Sequence, residues 1–214
     1  MEHEAVEYAQ VMRLPHADRG ADKELVERCR DHDGAAFNEV LERYKTKVYN
    51  YLLRMMGNAA DAEDLTQEVF VRLYTSLDSF RSQASLNTWL FRIAGNLCID
   101  HFRRAKKHRA IAFSLDEPRD AEGAEAGGGK TYEVPDTTYE PHRVAEQAET
   151  AQQIQQALGQ LPEKLRAVLI LHDIEGLPYE EIAQIVGCPL GTVKSRLFNA
   201  RLQLRQRLTS YLQS

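Results

Sequence analysis

Leu177–Arg201 reads LPYEEIAQIVGCPLGTVKSRLFNAR, the pattern of a helix, a tight turn and a second helix. Tyr179, Ile182, Ala183 and Val186 recur at helical spacing, and Gly187 follows, where a left-handed stop is easiest without a Cβ. Pro189 and Gly191 punctuate the turn before a new helical period begins. On that second helix Val193, Leu197, Ala200 and Leu204 share one face, while Ser195, Phe198 and Asn199 point the opposite way, flanked by Lys194 and Arg196. A large aromatic aimed away from the apolar stripe suits a recognition helix in a major groove. There Phe can touch a thymine methyl, and Ser, Asn, Lys or Arg can reach base edges or phosphates. An ordinary antiparallel helix pair with a solvated face is the alternative that this segment alone leaves open.

Upstream, Pro162 starts a helix bearing Leu165, Val168, Leu169 and Leu171, and Pro141 starts one bearing Val144, Ala148, Ala151, Ile154 and Leu158. With the helix-turn-helix these make a small bundle over residues 141–214. Residues 108–140 differ in texture. Their acids, Pro118, Pro135 and the glycine run 127–129 cannot bury enough apolar surface to offset ordering, so the segment reads as a flexible acidic linker. Residues 22–107 read as a first bundle, preceded by an N-terminal extension, 1–21, without a clean period. Asp22 is placed to cap a short helix with Leu25, Val26 and Cys29; a long helix then carries Phe37, Val40, Tyr44, Val48 and Tyr51 up to Gly57. Asn58 opens a third helix with Leu65, Val69 and Leu73, and a fourth runs from about Leu86 to Arg104. No stretch alternates as a strand. The expected fold is all-α, two small helical bundles joined by a flexible acidic linker, the second containing a helix-turn-helix.

The net charge of −5 over 214 residues conceals a division. After Glu181 there is no acidic residue, while Lys194, Arg196, Arg201, Arg205 and Arg207 are basic; Arg103, Arg104, Lys106, Lys107 and Arg109 form a second basic run. Residues 115–149 hold ten acids against three bases. Because phosphate neutralisation supplies most non-specific affinity, a chain acidic overall should grip DNA weakly unless something larger helps. Cys29, Cys98 and Cys188 are scattered and odd in number, which favours a reducing compartment over a disulfide framework. No membrane-length apolar run and no signal-peptide pattern are present, so a cytoplasmic protein is expected. There is no P-loop, dinucleotide fingerprint or nucleophile motif, and the expectation is no enzyme, no cofactor and no small-molecule substrate. The paired spacings Cys29/His32 and Cys98/His101 could share a zinc. Buried cysteines beside surface histidines explain them more simply, and no metal site is expected.

Three features of the first bundle look functional. Asp61, Asp64 and Glu68 form one stripe opening the third helix, where acids also suit the helix dipole. Arg92, Asn96, Asp100 and Arg103 form a polar stripe on the helix of Trp89. Phe80 and Arg81 lie in the loop before it, where aromatic and cationic groups could hold unpaired bases; Phe80 as a core plug is the other reading.

Taken in order, Ala36–Leu52 (AFNEVLERYKTKVYNYL), Asp61–Tyr74 (DAEDLTQEVFVRLY), Leu77–Arg104 (LDSFRSQASLNTWLFRIAGNLCIDHFRR) and the helix-turn-helix resemble the extracytoplasmic-function (ECF) sigma factors of bacterial RNA polymerase. The resemblance covers about residues 22–107 and 145–208. It implies a promoter-specificity subunit whose residues 22–107 (sigma region 2) bind core polymerase and melt the −10 element, and whose residues 141–214 (region 4) read the −35 element. By position it implies that Asp61, Asp64, Leu65, Gln67 and Glu68 dock on the polymerase clamp helices. Phe80, Arg81 and Asn96 match the pocket for a flipped −10 base, and Arg92, Arg103 and Arg104 would lie near the strand backbone. Lys194, Ser195, Phe198 and Asn199 match the −35 reading positions, with Arg196 among them. Many relatives carry a basic residue at Asn199. The implied partners are core RNA polymerase, promoter DNA and an anti-sigma factor.

Two elements about two helical turns apart require the bundles to stand roughly 70 Å from each other. A strap of about 32 residues spans about 30 Å on average and about 105 Å at full stretch, so it permits the separation without setting it. A scaffold must do that. The rival reading, an autonomous helix-turn-helix regulator, leaves Asp61–Glu68 and the Trp89 helix unexplained.

Overall fold

The computed structural model describes residues 19–79, 85–115 and 141–212, and no strand occurs among them. Helix α1 spans Arg19–Arg30, α2 Gly34–Met56, α3 Ala59–Ser76 and α4 Leu86–Leu115; a 3-10 turn, Leu77–Ser79, follows α3. Beyond residue 140 come α5 (Pro141–Gly159), α6 (Glu163–Leu169), a π-helical turn (Ile170–Ile174), α7 (Tyr179–Val186) and α8 (Leu190–Leu212).

Local chemistry sets the helix ends. The Asp33 carboxylate accepts from the backbone N–H of Ala35 (2.9 Å) and Ala36 (3.3 Å), starting α2. Gly57, at φ 81°, stops it in the left-handed region and donates its N–H to the Leu53 carbonyl at 2.9 Å. Asn58 then caps α3 by accepting from the Asp61 N–H at 2.8 Å. In α2, Val40, Tyr44, Val48, Tyr51, Leu52 and Met55 are buried at spacings of three and four, and in α4 Leu86, Leu90, Phe91, Ala94, Leu97 and Cys98 do the same. The two stripes meet edge to face where the Tyr51 and Phe91 rings lie 5.2 Å apart.

Asp22 does not cap α1, which begins three residues earlier. It is buried within the helix instead, and both its oxygens accept from Tyr44 Oη at 2.7 Å while Arg43 Nη1 lies 3.3 Å away. A partner distant in sequence has claimed the carboxylate. Helix α4 also outruns expectation. It continues to Leu115 rather than ending near Arg104, so helix replaces the expected start of the linker at 108.

Both groups of helices expected from the sequence are present, all-α among the described residues, and they pack against each other. Helix α7 lies on α4, and α2 meets α5, α6 and the π-helical turn. One apolar core runs through both, from Leu25 to Ala200. Arg166 of α6, 7% exposed, donates to the Met55 carbonyl at the end of α2, to that of Gly159 at the end of α5 and to that of Leu161 just beyond it. It also stands 5.9 Å from the Phe102 ring centre. Carbonyls left over at two helix ends thus find one buried guanidinium.

Candidate nucleic-acid interface

The helix-turn-helix is built as its residues dictate. Ile182, Ile185, Val193, Leu197 and Ala200 are buried between α7 and α8, and Gly187, at φ 62°, turns the chain through the left-handed region. Pro189 supplies the carbonyl that accepts from the Thr192 N–H at 2.9 Å, beginning α8. Opposite the buried stripe, Phe198 is 69% exposed. Lys194, Ser195 and Asn199 are exposed beside it, and Arg196 is half-buried on the flank. The Ser195 hydroxyl donates to the Thr192 carbonyl at 3.0 Å, and Lys194 Nζ lies 5.8 Å from the Tyr179 ring centre.

A polar belt, not foreseen from the sequence, fixes α8 to the segment before α7. Arg201 donates Nε and Nη2 to the two Asp173 oxygens at 2.9 and 2.5 Å. Asp173 also pairs with His172 Nδ1 at 2.7 Å, and the His172 ring stacks on Tyr179 at 4.8 Å. Tyr179 in turn faces Lys194. Burial pushes the Asp173 carboxyl up, but the hydrogen bonds from Arg201 and His172 outweigh it and hold the group below its ordinary range. The signal available in the sequence was weak, an acid at 173 and a base at 201 separated by twenty-eight positions.

On α4, Arg92, Asn96, Arg103 and Arg104 are exposed, and Arg103 Nη1 reaches Asp100 Oδ1 at 3.4 Å. Phe80 and Arg81 lie outside the described residues. On α3, Asp64 and Gln67 are exposed and Leu65 is half-buried. Asp61 accepts from Asn58 Nδ2 at 2.7 Å and stands 3.7 Å from His101 Nε2; Glu68 accepts from Arg72 Nε at 2.7 Å. Gln67 borders a groove of about 620 Å³ between α2 and α3, with Leu41, Glu42, Lys45, Thr66 and Phe70 among its walls. Cys29 and Cys98 are buried, His32 is exposed, and no cluster of three or more metal-ligating side chains occurs among the described residues.

These features define a helical protein with a helix-turn-helix, whose second helix exposes Phe198 among polar side chains, and a separate polar helix face. The model of sigma-70 region 2 matches residues 40–108, and that of sigma-70 region 4 matches residues 151–204. The ECF RNA polymerase sigma factor SigW of Bacillus subtilis (strain 168) is 37% identical over 188 residues, covering 87% of this chain and 96% of that protein. The ECF RNA polymerase sigma-E factor of Escherichia coli (strain K12) is 38% identical over 180 residues, 84% of this chain and 90% of that protein. Among solved structures, the sigma factor RpoE from Bartonella quintana, crystallised with the anti-sigma factor NepR, superposes with a TM-score of 0.61 at 24% identity, covering 81% of this chain and 96% of that one. CnrH, solved with the cytosolic domain of CnrY, gives 0.62 at 22% identity, covering 89% and 98%. The chain belongs to the ECF RNA polymerase sigma factors. It is a promoter-specificity subunit that binds core RNA polymerase, recognises −35 and −10 elements and promotes melting of the DNA. No described helix is long and apolar enough to cross a membrane.

Proposed function

We propose that Lys194, Ser195, Arg196, Phe198 and Asn199 read the −35 element in the major groove. Arg92, Asn96, Arg103 and Arg104, with Phe80 and Arg81 earlier in the sequence, engage the opened −10 strand, and Asp61, Asp64, Leu65, Gln67 and Glu68 dock on core polymerase. The observation that carries the reading is Phe198. A phenylalanine 69% exposed on a helix whose other face is buried has no packing purpose, and its neighbours are hydrogen-bonding or cationic. Exposed arginines on a second, longer helix supply the complementary surface for a strand backbone.

On this reading the chain works by binding energy alone. Exposing one base costs a few kcal/mol, which a base-accepting pocket can offset. The chain makes and breaks no bond and so acts as a binding subunit, working in the cytoplasm beside the polymerase. An anti-sigma factor is a fitting regulator, since RpoE and CnrH of the same fold were solved in complexes, RpoE with an anti-sigma factor. Transcription in vitro with core polymerase on a pool of genomic fragments tests the proposal. Discrete starts absent with core polymerase alone are expected, and their loss in Phe198→Ala and Asn96→Ala locates the reading surfaces. Equal starts without the chain would overturn it.

A further inference from the structure

We propose that Ile99 is a specificity-determining residue of the −10 surface: its side chain contacts the C5-methyl group of a thymine next to the base that Asn96 holds. The inference rests on the assignment of the α4 face above and adds to it a side chain that is neither polar nor charged.

Arg92, Asn96, Ile99 and Arg103 are exposed at successive spacings of four, three and four, the interval that keeps residues on one face of a helix. Lys106 and Lys107 are exposed one turn further on, so the face runs for roughly 22 Å from Arg92 to Lys107. Ile99, at 47% exposure, sits in its middle. A single isoleucine at a protein surface is ordinary; this one is set apart by its surroundings. The buried stripe of α4 passes through Leu90, Ala94, Leu97 and Cys98, and Ile99 lies off it. Arginine stems commonly lie over exposed hydrocarbon. Arg103 turns to Asp100 instead, with Nη1 3.4 Å from Oδ1 and its side chain 76% exposed, and the isoleucine is left uncovered.

The face divides its work between ends and centre. Arg92 at one end and Arg103, Lys106 and Lys107 at the other supply cations, which hold phosphates and carry no sequence information. Reading falls to the centre, where Asn96 offers an amide that both donates and accepts toward a base edge. The Cβ of Ile99 tilts toward the N-terminal end of the helix, which brings its methyl groups over the turn that holds Asn96. Stacking on an aromatic ring tolerates any base. An aliphatic branch offers no such platform and discriminates through apolar contact, for which thymine presents its C5-methyl. Asp100, the anion on the flank, is engaged by Arg103 and repels the strand less for it.

Holoenzyme assembled from the full-length chain and core polymerase tests this on a promoter from the transcription assay above, with its −10 element randomised. Sequencing the fragments that support initiation gives the base preference at each position. Ile99→Ala is expected to lower the preference for thymine at one position, or two adjacent ones, by about fivefold, with affinity for core polymerase unchanged. The site is exposed and alanine is a strong helix former, so the variant folds, as far-UV circular dichroism would check. Ile99→Val should keep the preference. Ile99→Lys should lose it even though the added cation strengthens phosphate binding. Uracil, which lacks the methyl, in place of that thymine should cost the wild type about fivefold and Ile99→Ala nothing further. An unchanged profile in Ile99→Ala, or an equal loss on uracil in both proteins, would overturn the proposal. If Asn96→Ala alters the profile and Ile99→Ala does not, this inference alone fails; if neither alters it, the assignment of the α4 face fails too.

Discussion

Two buried tyrosines nearly two turns of α2 apart have opposite balances. Tyr44 Oη donates to both oxygens of buried Asp22, so Tyr44→Phe should cost about 1–3 kcal/mol, because the carboxylate loses a donor it cannot replace with water. Tyr51 is fully buried, and its hydroxyl finds no hydrogen-bond partner among the described residues. Tyr51→Phe should therefore raise stability by about 1 kcal/mol. Urea unfolding of the two variants checks both signs. Phe198 is the third informative residue. Its truncation to Ala should weaken −35 binding by the holoenzyme by about 1–2 kcal/mol while leaving core polymerase affinity unchanged, as anisotropy with a labelled promoter fragment would read. The exposure of Phe198 was legible in the sequence because one wheel position contradicts the apolar period. The partner of Asp22 was not, since an acid near a helix start is ordinarily a cap and nothing local points to a tyrosine twenty-two residues on.

At the scale of elements, the helix-turn-helix was readable almost residue by residue. Gly187 turns where a Cβ is least welcome, and Val193, Leu197 and Ala200 are buried as their spacing requires. The π-helical turn at Ile170–Ile174 was not readable, because periodicity alone cannot distinguish it from a helix that simply ends. That turn presents His172 and Asp173 to Tyr179 and Arg201. The Asp173 carboxyl is held below its ordinary 3.8, so its stabilising contribution is complete above that pH and is lost as pH falls through the depressed value. Asp173→Asn should thus cost about 1 kcal/mol between pH 5 and 8 and progressively nothing below about 3.8. Urea midpoints of wild type and variant across pH would show the two curves converging on the acid side; a gap that widens there would contradict the assignment.

For the whole molecule, the sequence carried the two groups of helices and the order of their motifs, but not their packing together. Interface contacts such as Thr88–Glu181 pair residues ninety-three apart that also make good sense as solvated side chains. A shared core predicts cooperative unfolding. The single tryptophan, Trp89, lies on α4 and reports the first group, whereas far-UV circular dichroism reports both; their urea transitions should coincide in the free chain. Two separated midpoints would mean that the lobes unfold independently. Arg166 carries a consequence for how the two groups of helices hold together. Of its three carbonyl acceptors, those of Gly159 and Leu161 belong to its own group and only that of Met55 belongs to the other. Two acceptors on its own side fix the guanidinium, so the Met55 carbonyl meets a donor already aimed and little side-chain freedom is spent on that clasp.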